Sequence, residues 1–216
     1  VVVVVVGLDA RSIVSGAMNV EVLNSRGRSV LDACFDRTTT VTLTQNSFAD
    51  NCVDSSVTAN YSNDGGTTWG GDVIYSSASP NIAWTLSSGD GTKTVSGKTR
   101  DIRGNVRTMS PATIVLDQTL PTMPGSFART ASCSGTTRTV TLTWTASTDT
   151  NMVGYRVYRS TDAATWSVVA TTTALTTSNS HAKTLNSTRF KVAAYDKAGN
   201  ESVSTAIISL AKNQCS

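Results

Sequence analysis

Ser62-Asn63-Asp64-Gly65-Gly66-Thr67-Thr68-Trp69 returns later in the chain as Ser160-Thr161-Asp162-Ala163-Ala164-Thr165-Trp166, and Asp101-Ile102-Arg103-Gly104-Asn105 returns as Asp196-Lys197-Ala198-Gly199-Asn200. The two tryptophans stand 97 positions apart (166 − 69) and the two aspartates 95 (196 − 101). Val41-Thr42-Leu43-Thr44 and Val140-Thr141-Leu142-Thr143 add a third echo at 99 (140 − 41). Three landmarks that keep order and near-constant spacing mark two tandem copies of one domain. Each copy has the size of an immunoglobulin-like sandwich, about 100 residues.

Composition agrees with an all-β chain. Of 216 residues 39% are hydrophobic and only 15% charged. Thr, Ser and Val abound, and β-branched side chains suit a pleated surface better than a helix. No window carries a sustained helical apolar stripe. Short runs such as Thr38 to Thr44, Val57 to Tyr61, Ile82 to Leu86, Lys93 to Arg100 and Ala112 to Leu116 are separated by Gly, Asn and Asp turns, a cadence that predicts sandwich strands. Thr139 to Trp144, Gly154 to Ser160, Trp166 to Ala170, Arg189 to Tyr195 and Ser204 to Leu210 continue it in the second copy. The expected architecture is two tandem immunoglobulin-like or fibronectin type III β-sandwiches. An N-terminal strand segment spans 1–29, a first sandwich 30–118 and a second 119–216. Between the sandwiches Asp117 to Gly125 contains Pro121 and Pro124, which stiffen the link and remove backbone donors.

The chain opens on Val1, Val2, Val3, Val4, Val5 and Val6. A run without alternation suits a strand buried on both faces and, exposed, templates aggregation. Three readings stand side by side: the end of a longer strand, an assembly strand donated to a neighbouring subunit, or a stand-in for residues of undetermined identity. The sequence does not begin with Met, as expected after a removed signal or inside a longer polypeptide.

Four cysteines fall two to a copy, Cys34 with Cys52 and Cys133 with Cys215. No CxxC is present and His181 is the only histidine, so the spacing fits no zinc motif. Disulfides within each copy are the simplest pairing, and bridged cysteines point outside the cytosol. No apolar run reaches the roughly 20 residues of a membrane span.

The net charge of +3 is small, and Arg100, Arg103 and Arg107 lack interleaved aromatics, so no nucleic-acid footprint is expected. Catalytic motifs are absent: there is no HExxH, GxSxG, P-loop or GxGxxG, and no cofactor is expected. His181, alone in a Thr/Ser-rich stretch, reads as a solvated loop side chain. Asp90, Asp101 and Asp196 read as turn acceptors, with a calcium site beside Asp117 as the alternative. Trp69, Trp84 and Trp166 with Tyr61, Tyr75, Tyr155 and Tyr158 could line a glycan-binding face. Recurrence of Trp69 and Trp166 at one position in both copies instead predicts packing over the preceding hairpin. Asn60, Asn186 and Asn200 head N-glycosylation triplets, and Thr171 to Ser180 is a candidate for O-linked sugar.

Several segments resemble known families. Tyr61 to Trp69, Trp84 to Val95, Asp101 to Val106, Ile114 to Asp117 and Pro121 resemble the bacterial immunoglobulin-like repeats of large surface and secreted proteins. Leu142-Thr143-Trp144, Gly154 to Ser160 and Phe190 to Ser202 resemble a fibronectin type III domain. Together the segments cover about residues 30 to 211. The resemblance implies a core role for Trp144, a strand-F role for Tyr195 and an extracellular setting; the cysteine pairs are outside either family's usual pattern. It implies a noncatalytic structural or adhesive module of a surface assembly, filament or virion, with protein partners through self-assembly or neighbouring subunits. The alternative is a carbohydrate-binding or spacer region of a secreted polysaccharide hydrolase.

Overall fold

The computed structural model describes residues 3–8, 18–23, 35–45, 57–74, 81–109, 111–185 and 187–215. Among them every regular element is a strand; no helix long and apolar enough to cross a membrane occurs. The chain divides into two compact units, Val1–Gln118 and Thr119–Ser216.

The first unit holds β1 (Val3–Leu8), β2 (Met18–Leu23), β3 (Phe35–Asp36), β4 (Thr40–Gln45), β5 (Thr58–Ser62), β6 (Val73–Ile74), β7 (Asn81–Thr85), β8 (Gly91–Arg100), β9 (Val106–Thr108) and β10 (Ala112–Leu116). One sheet has the order β2-β1-β4-β7 and the other β3-β10-β8-β5-β6, with β9 on β8. Period-two alternation decides which face each strand buries. Val41 and Leu43 of β4 meet Ala59 and Tyr61 of β5, Val95 of β8 and Ile114 of β10 in one core. β1 pairs antiparallel with β2 and parallel with β4, Val3 opposite Thr42, so Val3–Val6 lie inside the first unit's own sheet. Val1, Val2, Cys34 and Cys52 lie outside the described residues.

The second unit holds β11 (Gly125–Ser134), β12 (Thr137–Thr145), β13 (Met152–Ser160), β14 (Ser167–Thr172), β15 (Thr176–Ala182), β16 (Ser187–Asp196) and β17 (Ile208–Ala211). Its sheets run β11-β12-β15 and β14-β13-β16-β17. Val140, Leu142 and Trp144 alternate inward from β12 to face Val157 of β13 and Phe190 and Val192 of β16. Trp144 is 4% exposed and meets the Tyr155 ring edge-on at 5.4 Å, the arrangement aromatic quadrupoles prefer. The proline-bearing link is tied to this unit: Thr122 N–H donates to Thr148 O at 3.1 Å, Thr148 N–H to Thr122 Oγ1 at 2.7 Å, and Asn200 Nδ2 to Thr119 O at 3.2 Å.

Candidate functional site

The repeated motifs are turns, and their chemistry explains why the same residues return. Ser62 Oγ donates to Asp64 Oδ1 (2.6 Å) and accepts from Gly66 N–H (2.9 Å), while Asp64 takes the Thr68 N–H and hydroxyl. Ser160 Oγ likewise donates to Asp162 (2.9 Å) and accepts from Ala163 N–H (2.9 Å), and Asp162 takes Ala164 and Thr165 N–H. Bonds to the charged form hold both carboxyls below their usual range, Asp64 chiefly through Ser62 and Asp162, at about 2, chiefly through Thr165 N–H. In the second motif Asp101 binds Asn105 N–H (2.8 Å) and Nδ2 (2.7 Å), and Asp196 binds Asn200 N–H and Nδ2, both at 2.8 Å. Gly104 and Gly199 each sit at φ +86, where a Cβ is penalised.

Between these turns the first unit has a hollow of about 260 Å³. Its floor follows from register. Thr58 stands opposite Arg100 and Asn60 opposite Lys98, and Arg100 stands opposite Val106, so one sheet face presents Thr58, Asn60, Lys98, Arg100 and Val106. Trp69 closes one side with its six-membered ring lying against Gly66, where an added Cβ would come within 2.8 Å. Lys98 Nζ lies 4.0 Å from the Trp69 ring centroid, a cation over the negative π face. Asp72 pairs with Arg100 at 2.7 Å and accepts from Asn60 Nδ2. The Asn60 amide, then Arg100 and Lys98, hold the Asp72 carboxyl low. Asn60 is 8% exposed, and its Oδ1 has no hydrogen-bond partner.

The matching face of the second unit is filled. Tyr158 stands opposite Lys191, two residues before the turn serine, as Asn60 does. Tyr158 OH donates to Glu201 at 2.5 Å, and Arg156 pairs with the same carboxylate at 2.6 Å. Arg156 covers the Tyr195 ring at 4.2 Å, and Lys191 lies over both Trp166 (4.7 Å) and Tyr158 (5.4 Å). Burial and then Glu201 push the Tyr158 hydroxyl up to about 12.

The second unit's C-terminal end is closed from within. Cys133 of β11 and Cys215 are joined by a disulfide with Cα atoms 5.4 Å apart. Beside it Arg138 is 0% exposed. It donates to His181 Nε2 (3.1 Å), Ala211 O (2.7 Å), Gln214 O (3.1 Å) and Thr188 Oγ1 (2.9 Å). Among the described residues no carboxylate shares this contact set. Desolvation lowers the Arg138 pKa. Burial, then the Arg138 and Arg159 charges, lower His181 to about 4, so its neutral ring accepts from the guanidinium.

One sequence expectation, that for His181, is corrected here, and two of the alternatives are narrowed. His181 is not a solvated loop residue: it lies on β15, 9% exposed, because pairing with β12 carries the polar Thr/Ser stretch into a sheet. The aromatic residues do not share one face, since Tyr61 and Tyr155 are core side chains at 1% and 4% exposure and Trp84 packs on the first core with its N–H on Asn63 Oδ1 at 2.8 Å; Tyr75 is outside the described residues. Asn60 and Asn200 are both buried, which shields them as glycosylation acceptors; Asn186 is outside the described residues. Arg138 was missed altogether, because its inward alternation with Val140 is visible in sequence but its partners come from β15, β16 and the C-terminus.

No protein-family model matches the chain. Its fold is similar to that of the chicken CNTN1 FN1-FN3 domains, with a TM-score of 0.58, 15% identity, and coverage of 85% of this chain and 66% of that one. The fold is therefore that of fibronectin type III and immunoglobulin-like β-sandwiches. Among curated proteins the chain is 39% identical to chitinase A1 of Niallia circulans over 121 residues, 52% of this chain. It spans 16% of that protein's length.

Proposed function

We propose that the chain is an extracellular spacer and support region of a secreted protein that acts on a polysaccharide. The observation that carries this reading is the 39% identity with part of chitinase A1 across 121 residues. Two self-contained cores, a link tied to the second unit, and a C-terminus closed by a disulfide support a part that keeps its length under load, and the disulfide supports an oxidising compartment. Excising this region from the parent polypeptide is expected to lower turnover of insoluble polysaccharide while leaving turnover of soluble oligosaccharide unchanged. Equal turnover of both with and without the region defeats the reading.

A second reading, a structural or adhesive segment of a surface assembly, filament or virion, is favoured by β11, a ten-residue strand at a sheet edge where another strand could add. Sedimentation separates the two. Concentration-dependent growth of oligomers supports assembly, and a monomer at all concentrations counts against it.

A further inference from the structure

We infer that the hollow over Asn60 in the first unit seats one pyranose ring bearing an acylamino group, from an N-acylated polysaccharide. The inference rests on the polysaccharide-associated reading above and gives it a site. At about 260 Å³ the hollow falls just below the range of about 300–1,000 Å³ of ordinary ligand sites, room for a single sugar ring. Its side groups are of three kinds, and each lacks something that such a ring supplies.

The first is an acceptor. Asn60 is more than nine-tenths buried, its amide nitrogen is committed to Asp72, and Oδ1 has no partner. Buried polar atoms are nearly always bonded; this oxygen lies beneath the surface of the hollow, and an external N–H or O–H reaches it once the Asn60 side chain turns outward. The second is a donor: the Lys98 ammonium has a ring contact and a distant carboxylate but no hydrogen bond to give it direction. Its flexible four-carbon stem lets it turn toward a carbonyl oxygen. The third is apolar: Trp69 and the 57%-exposed Val106 flank the space, a wall for a methyl group and the C–H face of a ring.

An acylamino substituent carries all three complements together, an N–H for Asn60, a C=O for Lys98 and a methyl for Trp69 and Val106. Ring hydroxyls then meet the Asp72–Arg100 pair. A sugar with hydroxyls alone brings its C–H face to the wall but no methyl and no N–H. A uronic acid answers the cations and offers no methyl. At the matching positions of the second unit Arg156, Tyr158 and Glu201 are bonded to one another.

The test is a titration of the full chain by backbone and indole N–H NMR with chitotriose, cellotriose and trigalacturonate as probes. Chitotriose is expected to shift Asn60, Trp69, Lys98 and Arg100, with the other two sugars at least fivefold weaker. Lys98→Met, which keeps the stem, and Val106→Asn, at an exposed position, are each expected to weaken chitotriose at least fivefold while the remaining spectrum stays folded. No shifts, shifts confined to Trp166 and Tyr158, equal affinity for cellotriose, or full affinity in Lys98→Met overturn the inference. Excision that still lowers turnover of insoluble substrate would then leave the spacer reading standing without this site; its own failure shows only in the excision experiment.

Discussion

The two units differ where their shared pattern is filled with different side chains. Ahead of Ser62 the outward positions of β5 are Thr58 and Asn60; ahead of Ser160 those of β13 are Arg156 and Tyr158. Both faces carry a lysine over a tryptophan, Lys98 on Trp69 and Lys191 on Trp166. Short side chains leave a hollow in the first unit. Long ones, joined through Glu201, close it in the second. The second unit is also bolted at its C-terminus, by a disulfide and by a buried arginine that holds two C-terminal carbonyls. One framework thus offers an open face in one copy and a sealed, reinforced body in the other.

The sharpest way to break that contrast is to unbolt the second unit. Replacing Cys133 and Cys215 by serine frees a loop of 82 residues, which on chain entropy costs about 4.5 kcal/mol. Hydrogen exchange is expected to show β16 amides losing protection while β8 amides keep theirs. Equal loss in both would mean that the units do not hold their stability separately.

Arg138→Met comes next, at about 3 kcal/mol, because it strands buried acceptors on His181 and Thr188 and part-buried carbonyls of Ala211 and Gln214. It also alters pH dependence, with a sign that follows from linkage. The folded His181 pKa, about 4, lies below the ordinary 6.5, so as pH falls through 6.5 the unfolded chain takes up a proton that the folded chain refuses. Stability is full above about pH 6.5 and declines toward pH 4, by about 3 kcal/mol. Urea midpoints between pH 7 and 4 should show this slope, and Arg138→Met should reduce it, since it removes the Arg138 charge and leaves the larger cause, burial, in place. An unchanged slope would separate the histidine from the guanidinium.

Gly104→Ala and Gly199→Ala sharpen the likeness. Each glycine has φ +86, and no atom lies within 4 Å of the added Cβ, so each variant should cost about 1 kcal/mol of backbone strain. Thermal unfolding that gives clearly unequal losses would show that the two Asp–Asn turns bear different loads. The smallest effect belongs to Arg100→Gln. Its ion pair with Asp72 joins side chains 54% and 43% exposed, so the first unit should change by no more than about 0.5 kcal/mol. A larger drop in its chemical-denaturation midpoint would mark the Asp72–Arg100 pair as part of the scaffold.

Much of the fold was legible. The β10 range of Ala112 to Leu116 coincides with the sequence reading, and β8, β12, β13 and β16 differ from it by one to two residues at their ends, because each is flanked by a firm turn. β15 was not legible: Thr176–Ala182 reads TTSNSHA and carries no apolar period. Only cross-strand pairing, such as Thr139 with Ser180 at 2.9 Å and Thr141 with Ser178 at 3.0 Å, makes it a strand. β11 was hidden for a related reason, since as an edge strand it buries few side chains completely and follows a link read as irregular. In the candidate site Trp69 was visible as a landmark. Its neighbours Asp72, Lys98 and Val106 were not, because they arrive from the segment before β6, from β8 and from β9.

By itself the amino-acid sequence determined the duplication, the all-β class and the turn chemistry, since these depend on residues within a few positions of one another: a serine, an aspartate and a glycine satisfy a turn's donors and dihedrals wherever they occur. The tertiary structure alone decided what each face became. Whether an asparagine is capped by its neighbours or left with an unfilled oxygen, and whether an arginine is solvated or buried among carbonyls, depends on cross-strand register. Register joins residues dozens of positions apart, and local propensity does not encode it.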